Sequence, residues 1–503
     1  MNLSKTRYCK GIQCPKILWM DKNMPDMFDQ SVMDETRLSV GNEVGDLAMG
    51  FFGDFTEVPY SKDFAEMTET TKRLLSVGTH VIAEATFVYE GSACMVDILR
   101  SRRGGYEIIE VKSSTGSVGD GVEQVKPIYL HDMAYQVYVL THCGINITGV
   151  NIMQLNRDYV RQGELNVHEL FTMTDCTERV MYMQNDIPAN ISAIRYTAEQ
   201  TEEPIAEIGN VCNNPYECGY KKWCYRHLPK KTVFDIGWSM WGSKKDDAYN
   251  AGIVTFEDVL EKGVGLSWKQ RRQVETAVND LPPHIDGGAI RTFLSTVRYP
   301  LYHLDFETYQ QAIPQWDYVS PYAQIPFQYS LHIQHEPCGE TVHLEYLAQE
   351  GKDPRRPLAE RLCADIPMNA CILAYNMSFE KGRLKALAGL FPDLASHLMN
   401  MHDSMIDLAN PFQSGAYYCR EMGGSYSIKS VLPALIPNDP ELDYNALNLI
   451  QNGGDAMDAF ATLHKKTGDE IAEIRKALLA YCRLDTLAMV KILEKLYGLT
   501  EGN

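Results

Sequence analysis

Hydrophobic and polar positions alternate along the chain between Val81 and Lys112. Three alternating stretches lie there, VIAEATFVYE, ACMVDILRS and GYEIIEVKSS, and glycine-containing turns separate them. A period of two residues is typical of strands that bury one face. We therefore predict three consecutive β-strands, followed by a helix at about 126–143.

The second half of the chain has a different pattern. From about Ala289 onward, apolar strand-like runs alternate with helical stretches, and a long helix closes the chain. This alternation is typical of α/β domains. Between the halves, roughly 239–281 predicts two small helical units, AYNAGIVTFEDVLEKG and LSWKQRRQVETAV, and LPPHIDGG is the predicted linker after them. The whole chain is therefore predicted to be an α/β multidomain protein.

Length and composition limit the class of protein. The chain has 503 residues, which corresponds to roughly three domains of about 150 residues each. Composition is that of a globular protein, with 45% hydrophobic and 22% charged residues. No apolar run approaches the ~18 residues of a membrane span, and the start, MNLSKTRYCKG, lacks the apolar core of a secretion signal. We expect a cytoplasmic protein without membrane contacts, whose 13 cysteines are thiols or metal ligands.

The net charge of −19 argues against a protein that coats nucleic acid, which would be basic. It is compatible with a nuclease, because metal ions reverse the local charge of an acidic site. Basic clusters are present, and each is compatible with solvated surface or with phosphate contacts: Arg100, Arg102 and Arg103; KKWCYRHLPKK at 221–231; KQRR at 269–272.

Two acids lie close together in the predicted strand YHLDFETY. Asp305 and Glu307 are two residues apart, so their side chains point to one face. Adjacent carboxylates among apolar residues repel each other and resist burial. A bound metal ion is one reason to hold them together, since Mg²⁺ prefers oxygen ligands. The alternative is an edge strand with solvated acids.

Two further segments add acids to this pattern. The apolar run Ile372 to Tyr375 leads into Asn376, and Glu380 lies near the start of the next helix. In the final helix, Asp485 falls on the apolar stripe, where an unpaired charge is costly. Tyr481 lies one turn earlier on the same face.

The patterns D-x-E, N-x-x-F-E and Y-x-x-x-D, in this order, resemble the three motifs of the DEDD 3′–5′ exonucleases, which have an RNase H-like fold and include polymerase proofreading domains, RNase D and RNase T. The resemblance implies two Mg²⁺ or Mn²⁺ ions and a water-orienting role for Tyr481. It assigns the metal-binding role to Asp305, Glu307, Glu380 and Asp485. One departure is Glu380, because the second motif usually ends in Asp. Asp403 and Asp407, in MHDSMIDL, are expected to have core or surface roles.

The strands at 81–112 carry a second set of candidates. Asp97 lies in MVDIL, and Glu110 and Lys112 lie on one face of IIEVKSS. An ordinary salt-bridged strand is the alternative. The spacing resembles the PD-(D/E)XK nucleases, which have a restriction-endonuclease-like core. The resemblance implies one or two metal ions on Asp97 and Glu110, with Lys112 acting on the attacking water, and Glu84 is a weaker fourth candidate.

Gln136, in MAYQVYVL, resembles a glutamine of the RecB-like members of this group. Their tyrosine four residues later is absent, since residue 140 is Leu, although Tyr138 is near. GNEVGDLA resembles the helix that often carries a metal-facing histidine, and Gly45 takes that position. The implied site is therefore Asp97, Glu110, Lys112 and Gln136.

The cysteines form a further pattern, C-x5-C-x5-C at 212–224. Thiolates favour an iron–sulfur cluster or zinc, and this spacing is not that of zinc fingers. With one N-terminal cysteine added, the pattern resembles the iron–sulfur RecB-like nucleases, in which a cluster joins the two ends of the domain. The resemblance implies a [4Fe–4S] cluster, with zinc as the alternative, on Cys14, Cys212, Cys218 and Cys224. Cys14 fits better than Cys9, and buried free thiols are expected at Cys94, Cys143, Cys176, Cys363, Cys371, Cys419 and Cys482.

The layout resembles a bacterial fusion of a RecB-like iron–sulfur nuclease domain (1–235) with a DEDD exonuclease domain (289–503). The connector at 236–288 is similar to helix–hairpin–helix units, with Gly252 as its cue and Lys269, Arg271 and Arg272 as candidate phosphate contacts.

The resemblance implies a metal-dependent exonuclease with two candidate active sites, acting mainly on single-stranded DNA ends, in repair, recombination or mobile-element defence. Alternatives are an RNA 3′ exonuclease and a nucleic-acid-binding scaffold with one or both sites inactive. The aromatic residues after the first acids are expected to lie mostly in the core, with some able to stack on bases; they are Tyr309, Trp316, Tyr322 and Phe327.

Overall fold

The computed structural model describes residues 2–33, 35–116, 125–239 and 242–500. The chain divides into two compact units. The first comprises Met1–Leu228 with Ala312–Tyr322, and the second comprises Pro229–Gln311 with Ala323–Asn503. Each unit combines helices with a mixed β-sheet, which confirms the predicted α/β multidomain class. The segment predicted as a connector, 236–288, is grouped with the second unit.

The elements of the first unit begin with a strand and helix at the N-terminus. Its strands are β1 (Leu3–Ser4), β2 (Thr56–Glu57), β3 (Val81–Tyr89), β4 (Ser92–Arg102), β5 (Gly105–Gly116), β6 (Ile147–Asn156) and β7 (Phe171–Asp175). Its helices are α1 (Lys5–Gln13), α2 (Lys16–Asn23), α3 (Glu35–Met49), α4 (Phe64–Ser76), α5 (Pro127–His142), α6 (Val167–Leu170), α7 (Thr177–Tyr182), α8 (Ile187–Ala198) and α9 (Lys221–Cys224).

The first sheet has the order β2-β3-β4-β5-β6-β7, and β1 pairs with β4 in addition. β3, β4 and β5 are the three predicted strands, and they pair antiparallel. Gly104, at φ +90°, supplies the left-handed residue that the β4–β5 turn requires. Helix α5, predicted at 126–143, buries 11 of its 16 residues, most of them in the core of this unit.

The second unit contains the remaining elements. Its strands are β8 (His284–Ile285), β9 (Leu301–Tyr309), β10 (Ile325–Gln334), β11 (Thr341–Leu347), β12 (Cys371–Ala374), β13 (Met405–Asp407) and β14 (Tyr417–Tyr418). Its helices are α10 (Gly242–Asn250), α11 (Phe256–Glu261), α12 (Trp268–Asn279), α13 (Gly287–Leu294), α14 (Arg355–Asp365), α15 (Ser378–Leu390), α16 (Ala395–Asp403), α17 (Asn410–Gln413), α18 (Ile428–Leu435), α19 (Gly453–Thr462) and α20 (Gly468–Gly498).

The second sheet has the order β11-β10-β9-β12-β13. β9 pairs antiparallel with β10 and parallel with β12. It is therefore an interior strand, and the alternative of an edge strand with solvated acids is wrong. The predicted strand at 372–375 lies one residue earlier, at Cys371–Ala374.

The segment predicted as two helical units contains three helices, α10, α11 and α12. They share a small core that includes Val233, Phe256 and Val274. The linker predicted at LPPHIDGG is wrong, because β8 lies within it and pairs antiparallel with β14. This pairing joins residues more than 130 positions apart, so no local pattern indicates it.

Helix α20 spans 31 residues, and side-chain hydrogen bonds fix it against β10. The Gln328 side chain donates to the Leu478 carbonyl at 2.9 Å. The Thr486 hydroxyl lies 2.6 Å from the Ser330 hydroxyl and 2.8 Å from Nδ1 of His332. These contacts set the position of the middle of α20 relative to the central strands.

Within the described residues, no helix has both the length and the apolar character needed to cross a membrane.

Candidate functional site

The acids of the second unit meet on one side of β9. Asp305 and Glu307 project from the strand, and Asp485 projects from α20. Ligand atoms of Asp305, Glu307 and Cys482 all lie within 4.8 Å of one another. Glu307 is 6% exposed and Asp485 is 9% exposed. The strand and the final helix therefore bring three of the predicted carboxylates together, with a thiol beside them.

Glu380 approaches this group from the first turn of α15. The turn before the helix is held by Asp407 on β13, whose Oδ1 accepts the Asn376 N–H at 2.9 Å and whose Oδ2 accepts the Met377 N–H at 3.3 Å. Asn376 has φ +64°, which asparagine tolerates better than most residues. Glu380 is 3% exposed, and its Oε2 has no hydrogen-bond partner. We call Asp305, Glu307, Glu380 and Asp485 the C-terminal acidic centre.

Burial raises the pKa of every carboxyl in this centre. For Asp305 and Glu307 the pKa lies well above its ordinary value, first through burial and then through repulsion from neighbouring carboxylates, above all that of Asp485. Burial raises the pKa of Glu380 to about 8, with a smaller contribution from Asp407. Burial also raises the pKa of Asp485 to about 6, although hydrogen bonds from Tyr444 and Tyr481 oppose the rise.

Lys429 on α18 is the basic residue that acts on two acids of this centre. Its ammonium lies 5.2 Å from the ring centroid of Tyr444 and 5.4 Å from that of Tyr481, and it donates to the Gln451 carbonyl. It lowers the pKa of Glu307 and of Asp485. No basic side chain among the described residues forms an ion pair with an acid of the C-terminal centre. Four carboxyl groups therefore share one buried place, where Lys429 and, beside Glu380, Arg383 offset only part of the rise in their pKa.

Tyrosines surround Asp485. The Tyr444 hydroxyl donates to Oδ1 of Asp485 at 2.6 Å, and Tyr481 is 4% exposed one turn before Asp485 on α20. The two rings lie 6.1 Å apart. Tyr481 thus lies where the sequence predicts it, and Tyr444 supplies the closest hydrogen bond to the acid.

The structure adds residues that the sequence patterns do not identify. Tyr444, Lys429 and Asp407 come from separate segments and carry no motif. Cys482, expected to be an ordinary buried thiol, donates toward Oδ2 of Asp305 at 3.7 Å. Its position three residues before Asp485 on the helix is a spacing that indicates a shared face.

The aromatic residues expected near the acids divide into two groups. Tyr309 and Phe327 are buried and pack against Phe460, so they belong to the core. Trp316 and Tyr322 fall in the segment grouped with the first unit. The exposed aromatic nearest in sequence to a predicted ligand is Phe379, which is 36% exposed and has the Arg383 guanidinium 4.9 Å from its ring centroid.

The predicted acids of the first unit also converge. Asp97 lies on β4, Glu110 and Lys112 lie on β5, and Gln136 lies on α5. Glu110 is 1% exposed; its Oε1 accepts the Lys112 ammonium at 2.6 Å, and its Oε2 accepts the Gln136 amide at 2.6 Å. Oδ2 of Asp97 accepts the Val111 N–H at 2.8 Å. All four predicted residues therefore share one polar cluster.

Two further residues complete this cluster. The Lys5 ammonium, from the start of α1, lies 3.0 Å from Oδ1 of Asp97 and 3.1 Å from Oε1 of Glu110. Asp132 on α5 accepts from Lys112 and from Gln136, each at 3.0 Å. We call Asp97, Glu110 and Asp132, with Lys5 and Lys112, the N-terminal acidic centre.

The lysines set the electrostatics of the N-terminal acidic centre. Burial raises the pKa of Glu110, but Lys112 and Lys5 outweigh it and hold this pKa well below its ordinary value. Burial and then Glu110 raise the pKa of Asp97, and Lys5 and Lys112 oppose the rise. Burial lowers the pKa of Lys5, but Asp97 and Glu110 outweigh it and raise it well above the ordinary value. Lys5 is therefore a charged ammonium in this centre.

The weaker candidates of the first unit have clear positions. Burial raises the pKa of Glu84 to about 7, and the charge of Asp97 adds to the rise, so Glu84 lies near the acids. A Cβ added at Gly45 meets nothing within 4 Å. Tyr138, near Gln136 in sequence, packs against Tyr89 and His142.

The four predicted cluster cysteines lie near one another, and we call them the thiol cluster: Cys14, Cys212, Cys218 and Cys224. Burial raises the pKa of each thiol, and the other thiols contribute to the pKa of Cys14, Cys212 and Cys218. Among the described residues, no three of these sulfurs lie within 4.8 Å of one another. A zinc tetrathiolate requires sulfur separations of about 3.8 Å, from its Zn–S bonds of about 2.3 Å.

Comparison with known proteins adds one match. A family model described as a domain of unknown function, DUF2779, matches residues 302–427. The match contains Asp305, Glu307, Glu380 and Asp407, and it ends before Tyr481 and Asp485. No curated protein and no solved structure matches the chain. The part of the second unit that is similar to this family therefore includes two of the three elements that carry its acids.

Proposed function

We propose that the protein is a metal-dependent exonuclease whose cutting site is the C-terminal acidic centre. The observation that carries the proposal is the convergence of four carboxylates from β9, α15 and α20 in a buried place, where none of them forms an ion pair among the described residues. Each carboxylate is destabilised by its neighbours, and divalent cations relieve this repulsion. The finer fold in this proposal is an RNase H-like DEDD domain.

The residues present fit divalent metal ions. Carboxylate oxygens are hard ligands suited to Mg²⁺ or Mn²⁺, and Oε2 of Glu380 is buried without a partner. Asp305, Glu307, Glu380 and Asp485 would hold the ions. When bound, two such ions supply an activated water and neutralise charge on the leaving oxygen.

The chain's own side chains orient the reaction. Hydrogen bonds from Tyr444 and Tyr481 fix the Asp485 carboxylate. Tyr481 would also position the attacking water, and release from a 3′ end would give 5′-mononucleotides. Asp407 holds the turn that places Glu380, so the position of Glu380 depends on this buried acid.

Single-stranded DNA is the proposed substrate, with RNA as the alternative. Exposed Phe379, beside Glu380, offers a face on which a terminal base can stack. On α12, Trp268 is 55% exposed, with Lys269 and Arg272 within 5.6 Å of its ring centroid. Aromatic rings can stack on bases and cations can contact phosphates, so these residues suit the binding of single-stranded nucleic acid. The turn containing Gly252, between α10 and α11, is proposed to be the turn of a helix–hairpin–helix-like unit that binds phosphates.

The other basic clusters support surface roles. Arg100 and Arg102 form ion pairs with Glu107. Lys221, Lys222 and Arg226 each have an acidic partner. Their charge is largely neutralised within the chain. On α12, Arg271 likewise pairs with Glu275, whereas Lys269 and Arg272 donate to backbone carbonyls and form no ion pair among the described residues, which makes these two the stronger candidates for phosphate contacts.

In the first unit we propose a PD-(D/E)XK-like core joined by a [4Fe–4S] cluster on the thiol cluster. The C-x5-C-x5-C spacing, which is not that of zinc fingers, supports an iron–sulfur cluster over zinc. The test is metal analysis of anaerobically purified protein, which we expect to contain iron and to absorb near ~400 nm through thiolate-bound iron. Cys218→Ser should lose the iron, and Cys143→Ser should keep it, because Cys143 is exposed and its expected burial is wrong. Zinc in place of iron contradicts the proposal.

The test of the nuclease proposal is product analysis on end-labelled DNA and RNA with Mg²⁺ or Mn²⁺. The unmodified protein should release mononucleotides from 3′ ends, and Asp305→Asn should slow release about a thousandfold. Asp403→Asn, at an exposed acid of the same unit, is the matched control. Unchanged release by Asp305→Asn contradicts the assignment of the site.

The same assay separates the alternatives. Faster release from RNA than from DNA of the same sequence favours the RNA 3′ exonuclease. Binding of either strand without cleavage favours the scaffold. Placement of the activity in DNA repair, recombination or mobile-element defence belongs to this proposal and requires cellular assays.

A further inference from the structure

We infer that the Lys5 ammonium occupies the divalent-cation position of the N-terminal acidic centre, so that this centre is an internal ion-pair network and binds no metal ion. The inference goes beyond the proposed exonuclease, which acts through the other unit. A metal ion is expected between Asp97 and Glu110 by resemblance, and the residues present do not fit it.

The geometry places a cation between the two acids. The Lys5 ammonium contacts Asp97 at 3.0 Å and both oxygens of Glu110, at 3.1 and 3.2 Å. These are distances of charge-assisted hydrogen bonds. One ammonium therefore bridges the two carboxylates that a metal ion would have to bridge.

The N-terminal segment that carries Lys5, formed by β1 and the start of α1, is fixed by contacts with the rest of the first unit. Leu3 pairs with β4 and is fully buried, and its carbonyl accepts the Tyr135 hydroxyl at 2.5 Å. Ser4 caps α1 by accepting the Arg7 N–H. Tyr8, one turn after Lys5, stacks on Tyr135 with ring centroids 4.6 Å apart. The lysine therefore extends from an anchored helix end.

The oxygens that would bind a metal ion already accept hydrogen bonds. Glu110 accepts from Lys5, Lys112 and Gln136, and Asp97 accepts from Lys5 and the Val111 N–H. The Gln136 amide turns its donors to the acids and leaves its own oxygen buried without a partner. In the other unit, Oε2 of Glu380 is free of donors.

The charges also exclude an added divalent ion. Three carboxylates form ion pairs with two ammonium groups in this centre, and Glu84 lies near them with its pKa raised to about 7 by burial. A divalent ion would therefore add two positive charges where the ion pairs leave one carboxylate unmatched. The ion would also lie within a few ångströms of the Lys5 ammonium, and two positive charges repel each other strongly in a buried site. Removal of Lys5 reverses this condition, because three acids then face Lys112 alone.

The test is Mn²⁺ binding by the full chain in a background of Asp305→Asn with Glu307→Gln, which disables the C-terminal acidic centre. Adding Lys5→Met should create a site for one Mn²⁺ ion per chain, and Glu110→Gln should then remove it. Lys10→Met is the matched control, since Lys10 lies on α1 and pairs with Asp21 at the surface. Mn²⁺ binding that depends on Glu110 while Lys5 is intact overturns the inference, as does a folded Lys5→Met protein without the new site.

A second measurement uses unmodified protein, in case Lys5→Met does not fold. Acylation of lysines, followed by mass spectrometry, should modify Lys5 at least about tenfold more slowly than Lys10, because the network must open first. Millimolar Mn²⁺ should leave the Lys5 rate unchanged. A rise of the Lys5 rate toward that of Lys10 would mean that the metal ion displaces the ammonium, which overturns the inference. Both readouts are independent of nuclease activity and so separate this inference from the proposed function.

Discussion

Glu110 in the first unit and Glu380 in the second are both buried carboxylates within acidic clusters, yet their surroundings are opposite. Glu110 accepts hydrogen bonds from two lysines and an amide, and its pKa lies well below the ordinary value. Glu380 has an oxygen without a partner, and its pKa is raised to about 8. Both carboxylates are buried, so burial does not explain why their pKa values move in opposite directions. The difference comes from Lys5 and Lys112, which pair with Glu110.

This difference separates two uses of buried acids. Where ammonium groups pair with the carboxylates, the cluster stabilises the fold and the carboxylate oxygens already accept hydrogen bonds. Where the acids form no ion pair, their repulsion destabilises the metal-free protein, and in the proposed metal site divalent ions would relieve it. An acidic motif in a sequence is therefore interpretable only together with the basic residues that the fold brings to it.

The largest expected effect is an opposite change in stability from the same substitution in the two centres. Glu110→Gln should lower the free energy of unfolding by about 3–5 kcal/mol, because it leaves Lys5 and Lys112 buried without one partner. Glu307→Gln should raise the stability of metal-free protein by about 1–2 kcal/mol, because it removes one of four repelling acids. Urea unfolding in chelator, followed by hydrogen exchange in β5 and β9, measures both. If both substitutions changed the free energy of unfolding in the same direction, the proposed contrast between the two centres would be wrong.

The pH dependence of stability should also differ in sign between the two centres. The pKa of Glu380 is raised from 4.5 to about 8, so its contribution is present below about pH 4.5 and is lost as pH rises toward 8 in metal-free protein. The pKa of Glu110 is lowered, so its contribution is present above about pH 4.5 and is lost in acid. Each slope is at most about 1.4 kcal/mol per pH unit.

Hydrogen exchange against pH, in chelator, measures these two slopes. Glu380→Gln should flatten the slope in the second unit and leave the first unit unchanged, and Glu110→Gln should do the reverse. A slope in the second unit that persists in Glu380→Gln would assign it to other acids.

A smaller effect concerns the indirect support of Glu380. Asp407→Ala removes the acceptor of the Asn376, Met377 and Ala409 N–H groups, and we expect kcat to fall about 10–100-fold, as for other groups that orient a ligand. KM should change little, and Asp407→Asn, which keeps an acceptor oxygen, should restore most of the rate. Steady-state kinetics on single-stranded DNA measure the change. Asp403→Ala, at an exposed acid nearby in sequence, should behave as the unmodified protein.

The smallest effect concerns the aromatic residue beside each centre. In the first unit, Lys112 lies over the buried ring of Tyr129, whereas Phe379 in the second unit has an exposed ring. Phe379→Ala should raise KM for nucleic acid about tenfold through loss of one stacked base, with Phe379→Trp retaining affinity. Tyr182→Ala, at an exposed aromatic in the first unit, serves as the control. An unchanged KM would remove Phe379 from the substrate contacts.

Local patterns in the sequence predict much of the fold. The alternation over 81–112 locates β3, β4 and β5, although burial alternates clearly only along β4, and β3 and β5 bury runs of consecutive residues. The helix predicted at about 126–143 agrees closely with α5. The linker prediction fails because β8 owes its structure to β14, far away in the chain. Pairings of this kind depend on tertiary contacts that no local period encodes.

The candidate sites follow the same rule. Asp305 with Glu307 and Tyr481 with Asp485 are detectable because each pair repeats at the period of its own element. The contact of Lys5 with Asp97 and Glu110 cannot be predicted from a local pattern, since nothing in MNLSKTRYCKG relates this lysine to acids about 90 and 105 residues away. The basic residue that decides the character of the N-terminal acidic centre could be found only from the folded chain.

Helix α1 joins the N-terminal acidic centre to the thiol cluster. Lys5 begins the helix, and Cys14 follows its last residue and donates its N–H to the Lys10 carbonyl. Nine residues of α-helix form a stiff rod of about 14 Å. The helix therefore fixes the distance between the Lys5 backbone and Cys14, so that a single element positions one residue of the N-terminal acidic centre and one residue of the thiol cluster.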